Sequence, residues 1–338
     1  MKVAEVLIVG QGLAGTLLAW ECERAGIDFA IADQGHATAA TMAAAGIINP
    51  VTGRRLVKTW RIDTLLPRAR STYRQLGDAL GVSVWRELRV RRLFADDGER
   101  AAFERKRGTG ELAPFVTGAA DAAGFWIEDA ARVDLEALLA AARQRWRAQG
   151  RLQERRADPA EETKRHAWVI DCTGHHGVRL AGLLGVAPWE FAQGEVLQLK
   201  VDGLDPKVVL NRRHWVMPSG LGAAWVGATH VPGVTDATPT ETGRKTLERS
   251  AAEMLNRAFE VTGHRAGVRV TVPDRLPVSG PVPTIPRLGM INGLGGKGAL
   301  WAPLLAAEWA VFLRRGTPME PLLNVKRFAV EVIEGSQT

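Results

Sequence analysis

The sequence predicts an α/β protein: a parallel, Rossmann-like sheet that binds a dinucleotide, joined to a second region of mainly antiparallel strands. Three observations predict this. A short apolar strand near the N-terminus runs straight into a glycine-rich turn and a helix. A second apolar strand follows that helix and ends in an acid. Later, residues 195–228 hold several short strands separated by Gly- and Pro-containing turns.

Residues 3–9 are mostly apolar and rich in β-branched side chains, which predicts a central parallel strand. They lead into Gly10, Gln11, Gly12, Leu13, Ala14 and Gly15, after which Ala14, Leu18, Cys22 and Ala25 recur at helical spacing. Residues 28–32 form the second apolar strand, closed by Asp33. This order is a dinucleotide fingerprint. Gly10 permits the tight turn, Gly12 lets a pyrophosphate approach the backbone, and Gly15 lets the helix pack closely on the strand. The helix N-terminus offers N–H groups and partial positive charge to phosphates. Asp33 stands at the acidic position about 20 residues further on, where it accepts from ribose hydroxyls and favours NAD or FAD over NADP. The competing reading is a glycine turn without a ligand.

Residues 39–50 are rich in small side chains, which would let backbone lie against a flat ring, and Pro50 stops any continuation. The alternative is an alanine-rich helix start with no contacts. Residues 62–80 read as a helix. Residues 88–95 read as a strand closed by Asp96, Asp97 and Gly98, with a helix from Glu99. Leu135, Leu138, Leu139, Ala142 and Trp146 define one helical face; Arg143, Arg145 and Arg147 fall off it and are expected on a solvated surface. Residues 168–171 are a late buried strand ending in the small turn Cys172, Thr173, Gly174. Residues 195–201, 208–210, 215–217 and 224–228 predict an antiparallel sheet, and residues 247–259 are amphipathic. Residues 291–303 form a glycine loop opening the last long helix, able to bring N–H groups to a developing negative charge.

Composition narrows the function. A length of 338 residues suggests two domains at about 150 residues each, enough to bury a core without disulfide or metal staples. The 46% hydrophobic content excludes wholesale disorder. Cys22 and Cys172 are the two cysteines, which excludes a disulfide scaffold or zinc ribbon and fits a reducing compartment. The histidines are too scattered to form a metal site with them, so no metal is expected. The net charge of +7 permits an anionic substrate or nucleic acid without demanding either. With eleven Trp and only Tyr73 as tyrosine, a tyrosine acid or base has little to draw on. Glu5, Gly10, Gly12 and Gly15 interrupt the N-terminal apolar run, so neither an export signal nor a membrane helix is expected, and the location is read as cytoplasmic.

Taken with the small-residue stretch through Gly46, the Val133-Asp134 helix start, the strands Gly194-Glu195-Val196 and Val226–Thr229, and the C-terminal glycine loop, the chain resembles the FAD-dependent D-amino-acid oxidase, glycine oxidase and sarcosine oxidase family. Asn49-Pro50 and the wording from Gly293 to Gly298 also resemble the oxidase domain of the bifunctional tRNA wobble-uridine modifying enzyme. The family resemblance implies a discontinuous FAD domain (1–80, 128–182 and 270–338) around a substrate domain (81–127 and 183–269). It implies noncovalent FAD, since neither cysteine matches the covalent flavin position. Gly10, Gly12, Leu13, Ala14, Gly15, Asp33 and Gln34 would hold the ADP half, with the adenine-flanking strand near residues 152–157. Thr41, Met42, Gly46 and Ile47 would line the isoalloxazine, Thr173 and Gly174 would approach the pyrophosphate or ribose, and Gly295, Gly296, Lys297, Gly298 and Ala299 would face the flavin pyrimidine edge.

The implied reaction oxidises the C–N bond of a small amine or amino acid by hydride transfer to flavin, with oxygen as acceptor. Arg269 matches the arginine that clamps the substrate carboxylate, its fork pairing both oxygens; the competing reading pairs it with an acid such as Asp274. Lys297 is expected to stabilise reduced flavin or contact substrate, or else to face solvent or cap a carbonyl. The alternative substrate is tRNA, with a carboxymethyl group removed from a wobble-uridine side chain and surplus arginines on phosphate. A flavin dehydrogenase passing electrons to a carrier and a flavin protein without turnover are further possibilities. Trp189, Trp215 and Trp225 are core residues or an apolar pocket, and His175 and His176 are loop residues near the cofactor.

Overall fold

A computed structural model describes residues 4–35, 39–180 and 182–328. The first expected strand, residues 3–9, begins at Val6 and ends at Val9, with Ala4 and Glu5 lying before it and Val3 outside the described residues. It is wholly buried and packs between two other buried strands, Phe29–Ala32 and Trp168–Asp171, both parallel to it. Such double-sided burial explains why these strands are continuous apolar runs rather than alternating ones. Leu288–Asn292 continues the parallel sheet beyond Trp168–Asp171, and the short strand Leu152–Gln153 closes its other side. Val278–Pro281 adds the one antiparallel edge of this six-stranded sheet.

The second sheet has nine strands and is antiparallel except where Val208–Asn211 runs parallel to Trp85–Leu93. Its spine is the ladder between Glu190–Lys200 and Glu260–Thr271. Alternation along Glu190–Lys200 divides its side chains. Leu197 and Leu199 join Leu247, Ala251 and Leu255 of the helix Glu241–Leu255 in one core. Ala192, Gly194 and Val196 face the opposite way, toward the cavity described below. The expected domain seams at 127/128 and 269/270 fall inside strands, Gly124–Val133 and Glu260–Thr271, rather than between elements. Ile47–Ile48, from the N-terminal stretch, also pairs with Gly124–Val133 at the sheet's end.

Helices dock the sheets together. Ile62–Leu80 forms with the expected bounds, and its fully buried Tyr73 donates to the Ala299 carbonyl (2.9 Å) at the start of the last helix, Gly298–Arg315. Tyr73 is therefore a structural strut, and burial pushes its phenol well up, away from acid–base use. The helix expected from Glu99 begins at Asp97, because the Asp96 side chain caps it by accepting from the Glu99 N–H (2.9 Å). Leu135–Ala148 is capped in the same way by Asp134.

Candidate functional site

One cavity of about 1020 Å³ is lined from both sheets. That is the upper end of the range for cofactor and small-molecule sites, roughly 300–1,000 Å³. Its first wall is the turn after Val6–Val9. Gly10 has φ +94° and donates its N–H to the Ala32 carbonyl (2.8 Å). A Cβ at Gly15 would lie within 3.0 Å of the Gly10 carbonyl, so only glycine lets the helix Leu13–Ala25 approach this closely. The first intrahelical bond runs from the Thr16 N–H to the Gly12 carbonyl (2.9 Å), which leaves the amides of Leu13, Ala14 and Gly15 without helical partners. Thr41 Oγ1 takes the Leu13 N–H (3.3 Å), tying the short helix Ala40–Ala43 to this turn.

Asp33 is 7% exposed and closes the nucleotide end of the cavity. It accepts from the N–H groups of Gln11 (2.8 Å) and Gly35 (2.9 Å) and from Arg143 Nη1 (2.8 Å). Arg143 also donates to Gln11 Oε1 (2.9 Å) and Glu154 (3.0 Å). The expectation of a solvated Arg143 is thus corrected. Its side chain is 15% exposed because helix Leu135–Ala148 delivers it to the buried carboxylate. Arg145 pairs with Glu23 and Arg147 with Glu154, so these two also have acidic partners.

A second wall is the turn following Trp168–Asp171. Asp171 is fully buried and accepts at Oδ1 from both the N–H (2.9 Å) and the hydroxyl (2.6 Å) of Thr173. Among the described residues its Oδ2 has no hydrogen-bond partner, and burial pushes the carboxyl up to about 6 against the opposing Thr173 bonds. Asn292 ties the neighbouring strand to this turn by donating to the Gly174 carbonyl (2.9 Å).

The far end is cationic. Arg269 lines the cavity and donates from Nη1 to the Thr229 carbonyl (3.0 Å). Among the described residues it has no carboxylate within ion-pair distance, and burial pushes its guanidinium down from the usual value. Asp274 pairs instead with Arg327 (3.0 Å). The glycine loop docks beside Arg269, since the Gly295 N–H donates to the Val270 carbonyl (3.0 Å). Lys297 is half-buried in that loop, lines the cavity and is likewise pushed down by burial. His230 lies nearby, its imidazole lowered first by burial and then by Arg269 and Arg275.

Of the residues singled out from sequence, Gly10, Gly12, Leu13, Ala14, Asp33, Gln34, Thr41, Gly46, Ile47, Thr173, Gly174, Arg269 and Gly295 to Ala299 all line this cavity. Gly15 and Met42 do not. Gly15 packs behind the turn, and Met42 packs on the main core while its carbonyl accepts from Arg265 (3.0 Å). Gly46 lines the cavity with φ +71°, and a Cβ there would lie within 3.0 Å of the Val133 carbonyl. His175 and His176 sit at the wall with their rings 3.8 Å apart. Trp215 lines the cavity; Trp225 is buried under Arg265, and Trp189 donates to the Leu183 carbonyl (2.8 Å). Sequence reasoning missed Arg143 and the role of Thr229. The only signal for Arg143 was its place one residue after Ala142 on the inward face. Among the described residues no group of three His, Cys, Asp or Glu could hold a metal, and no helix is long and apolar enough to cross a membrane.

A dinucleotide turn, a buried ribose-side acid and a cationic end, all in one cavity, define a nucleotide-cofactor protein of the two-sheet oxidoreductase class. The family description FAD dependent oxidoreductase (DAO) matches residues 5–312, and the chain belongs to that family of FAD-dependent enzymes. It is 29% identical to the glycine oxidase of Pseudomonas putida over 49% of this chain and 43% of that protein. It is also 29% identical to the tRNA 5-methylaminomethyl-2-thiouridine biosynthesis bifunctional protein MnmC of Azoarcus sp. (strain BH72), over 93% of this chain and 57% of that protein. The matches thus span less than two thirds of either relative's length. Its fold is similar to that of glycine oxidase from Geobacillus kaustophilus (TM-score 0.78, 20% identity, 94% of this chain and 96% of that one). Iminodiacetate oxidase from Chelativorans sp. BNC1 is also similar (TM-score 0.73, 22% identity, 93% and 96%). The residues present fit FAD: the cavity runs from Asp33 past the fingerprint turn to Arg269, and its wall at Gly10 and Gly12 carries no side chain.

Proposed function

We propose that this enzyme oxidises the C–N bond of a small amine or amino acid that carries a carboxylate. The observation that carries the reading is Arg269: a desolvated guanidinium in the cavity wall with one backbone acceptor and no carboxylate partner among the described residues. A half-buried cation without a counter-ion beside it offers its free N–H donors to an anionic ligand. In this reading Asp33, held by Arg143, accepts from the ribose, and the positive N-terminal end of the Leu13–Ala25 helix faces the pyrophosphate. The six-stranded sheet carries the cofactor and the nine-stranded sheet the substrate side.

Bound FAD supplies the hydride acceptor. Arg269 fixes the carboxylate and so the orientation of the adjacent carbon. Lys297, on the glycine loop docked beside Arg269, adds a second positive charge at this end of the cavity, where negative charge would build on reduction or where substrate would bind. Oxygen is the proposed acceptor.

A second reading, a tRNA side-chain amine bearing a carboxymethyl group, is favoured by the length of the match to the Azoarcus protein and by the exposed Arg54, Arg156 and Arg213 at the cavity rim. It uses the same Arg269 chemistry. The test is anaerobic titration of the purified flavoprotein with amino acids and N-alkyl glycines while the visible flavin band is recorded. Bleaching by a small carboxylate amine supports the first reading, and rapid recovery in air supports oxygen as acceptor. Bleaching only by modified tRNA, with steep salt dependence, supports the second.

A further inference from the structure

We propose that Gly194 and Thr229 are positioning residues that hold the Arg269 guanidinium in its carboxylate-binding place. This rests on the reading of Arg269 as the carboxylate site. In the ladder between Glu190–Lys200 and Glu260–Thr271, Arg269 pairs with Ala192, and Gly194 pairs with Gly267. The pleat puts Ala192, Gly194, Gly267 and Arg269 on one face, the one that lines the cavity. That row is small everywhere except at Arg269, and the guanidinium lies back along it. A Cβ built on Gly194 would come within 3.0 Å of Cζ, Nη1 and Nη2 of Arg269 together. Gly194 has no positive φ, so backbone conformation does not demand glycine here. The demand is for space beneath the guanidinium.

Thr229 supplies the direction. Its carbonyl accepts from Arg269 Nη1 (3.0 Å), and two further bonds clamp it to Glu195. The Thr229 N–H donates to the Glu195 carbonyl (3.2 Å), and Thr229 Oγ1 accepts the Glu195 N–H (2.8 Å). Glu195 is itself immobilised: 1% exposed, it accepts from the Thr240 N–H (2.9 Å) and hydroxyl (2.8 Å) at the head of helix Glu241–Leu255. The acceptor that aims the guanidinium is therefore bolted to the strand that makes room for it. Nothing else within hydrogen-bond distance fixes Arg269 among the described residues.

Because the atoms crowded by a Cβ at Gly194 are the far end of a flexible side chain, Gly194→Ala should shift Arg269 rather than unfold the sheet. A displacement of about 1 Å at a bidentate site costs on the order of 10–100-fold in binding. The experiment measures benzoate binding to the holoenzyme from its perturbation of the flavin spectrum, with benzamide as the uncharged control. Wild type, Arg269→Leu, Gly194→Ala, Thr229→Val and Thr229→Ser are compared at equal flavin content. The expected result is benzoate affinity lowered at least tenfold in Gly194→Ala and Thr229→Val, wild-type affinity in Thr229→Ser, and unchanged benzamide affinity in all. If Arg269→Leu weakens benzoate but Gly194→Ala binds it like wild type, the positioning role is overturned while the carboxylate site stands. If Arg269→Leu also leaves benzoate unchanged, the carboxylate reading itself fails.

Discussion

Replacing Arg269 by leucine separates a binding role from a structural one. In the fold, Arg269 makes a single hydrogen bond, to the Thr229 carbonyl, and has no acidic partner among the described residues. Removing it strands one carbonyl, at about 1 kcal/mol, but also removes a half-buried, unpaired cation, which offsets that loss. The melting temperature should therefore stay within about 3 °C of the parent, and the flavin content should be unchanged. Binding should respond very differently. A guanidinium has five N–H donors, so one backbone bond leaves the rest for a carboxylate. Two charge-assisted bonds, net of the water they replace, contribute about 3 kcal/mol, or roughly 150-fold in KM. Steady-state kinetics on a carboxylate-bearing amine, with thermal melting alongside, reads both effects. An unchanged KM would refute the carboxylate assignment. A large loss of stability with unchanged KM would make Arg269 a structural residue.

Other perturbations test the frame around the site. Arg143→Met removes the guanidinium that donates to both Asp33 and Gln11 Oε1 at the nucleotide end; FAD affinity measured by flavin release on dilution should fall at least tenfold, while equal retention would remove Arg143 from the cofactor frame. Asp171 has its carboxyl raised from 3.8 to about 6, so the native state holds the proton more tightly than the unfolded chain and stability falls as pH rises from about 4 to about 6, by roughly 3 kcal/mol. Asp171→Asn keeps an oxygen acceptor for Thr173 and should abolish that fall; parallel pH–melting curves for parent and variant would contradict it. Gly46→Ala places a Cβ against the Val133 carbonyl at φ +71° and should lower the melting temperature by several degrees through about 2 kcal/mol or more; an unchanged melting temperature would show that the turn relaxes freely.

The parts of this protein legible in sequence are those whose determinants are local. The fingerprint turn, its helix and Asp33 are specified by residues that touch one another within one βαβ unit, and helix Ile62–Leu80 carries its own periodicity. The strand Gly124–Val133 escaped because its buried and exposed positions do not alternate cleanly, and its pairing partner Trp85–Leu93 is distant in the chain. Glu260–Thr271 is hidden for a like reason: its first half is polar and becomes a strand by pairing with Glu190–Lys200. Arg143 was misread for a related reason. Helical spacing tells which side chains leave the core face, but not that a buried acid 110 positions earlier waits at that edge. Likewise Gly194 is visible as a residue, whereas the guanidinium that needs its missing side chain arrives from another strand.

The central claim, that the substrate is an amine whose carboxylate is held by Arg269, is tested most directly with a matched pair of amines. N-methylglycine and dimethylamine share the reacting amine and differ by the carboxylate. The initial rate of anaerobic flavin bleaching by each, at equal submillimolar concentration, compares them in the native holoenzyme. Bleaching by the carboxylate-bearing amine, or by another member of its class such as glycine, should be at least 100-fold faster than by its decarboxylated counterpart. Equal bleaching by both members of every reactive pair would contradict it.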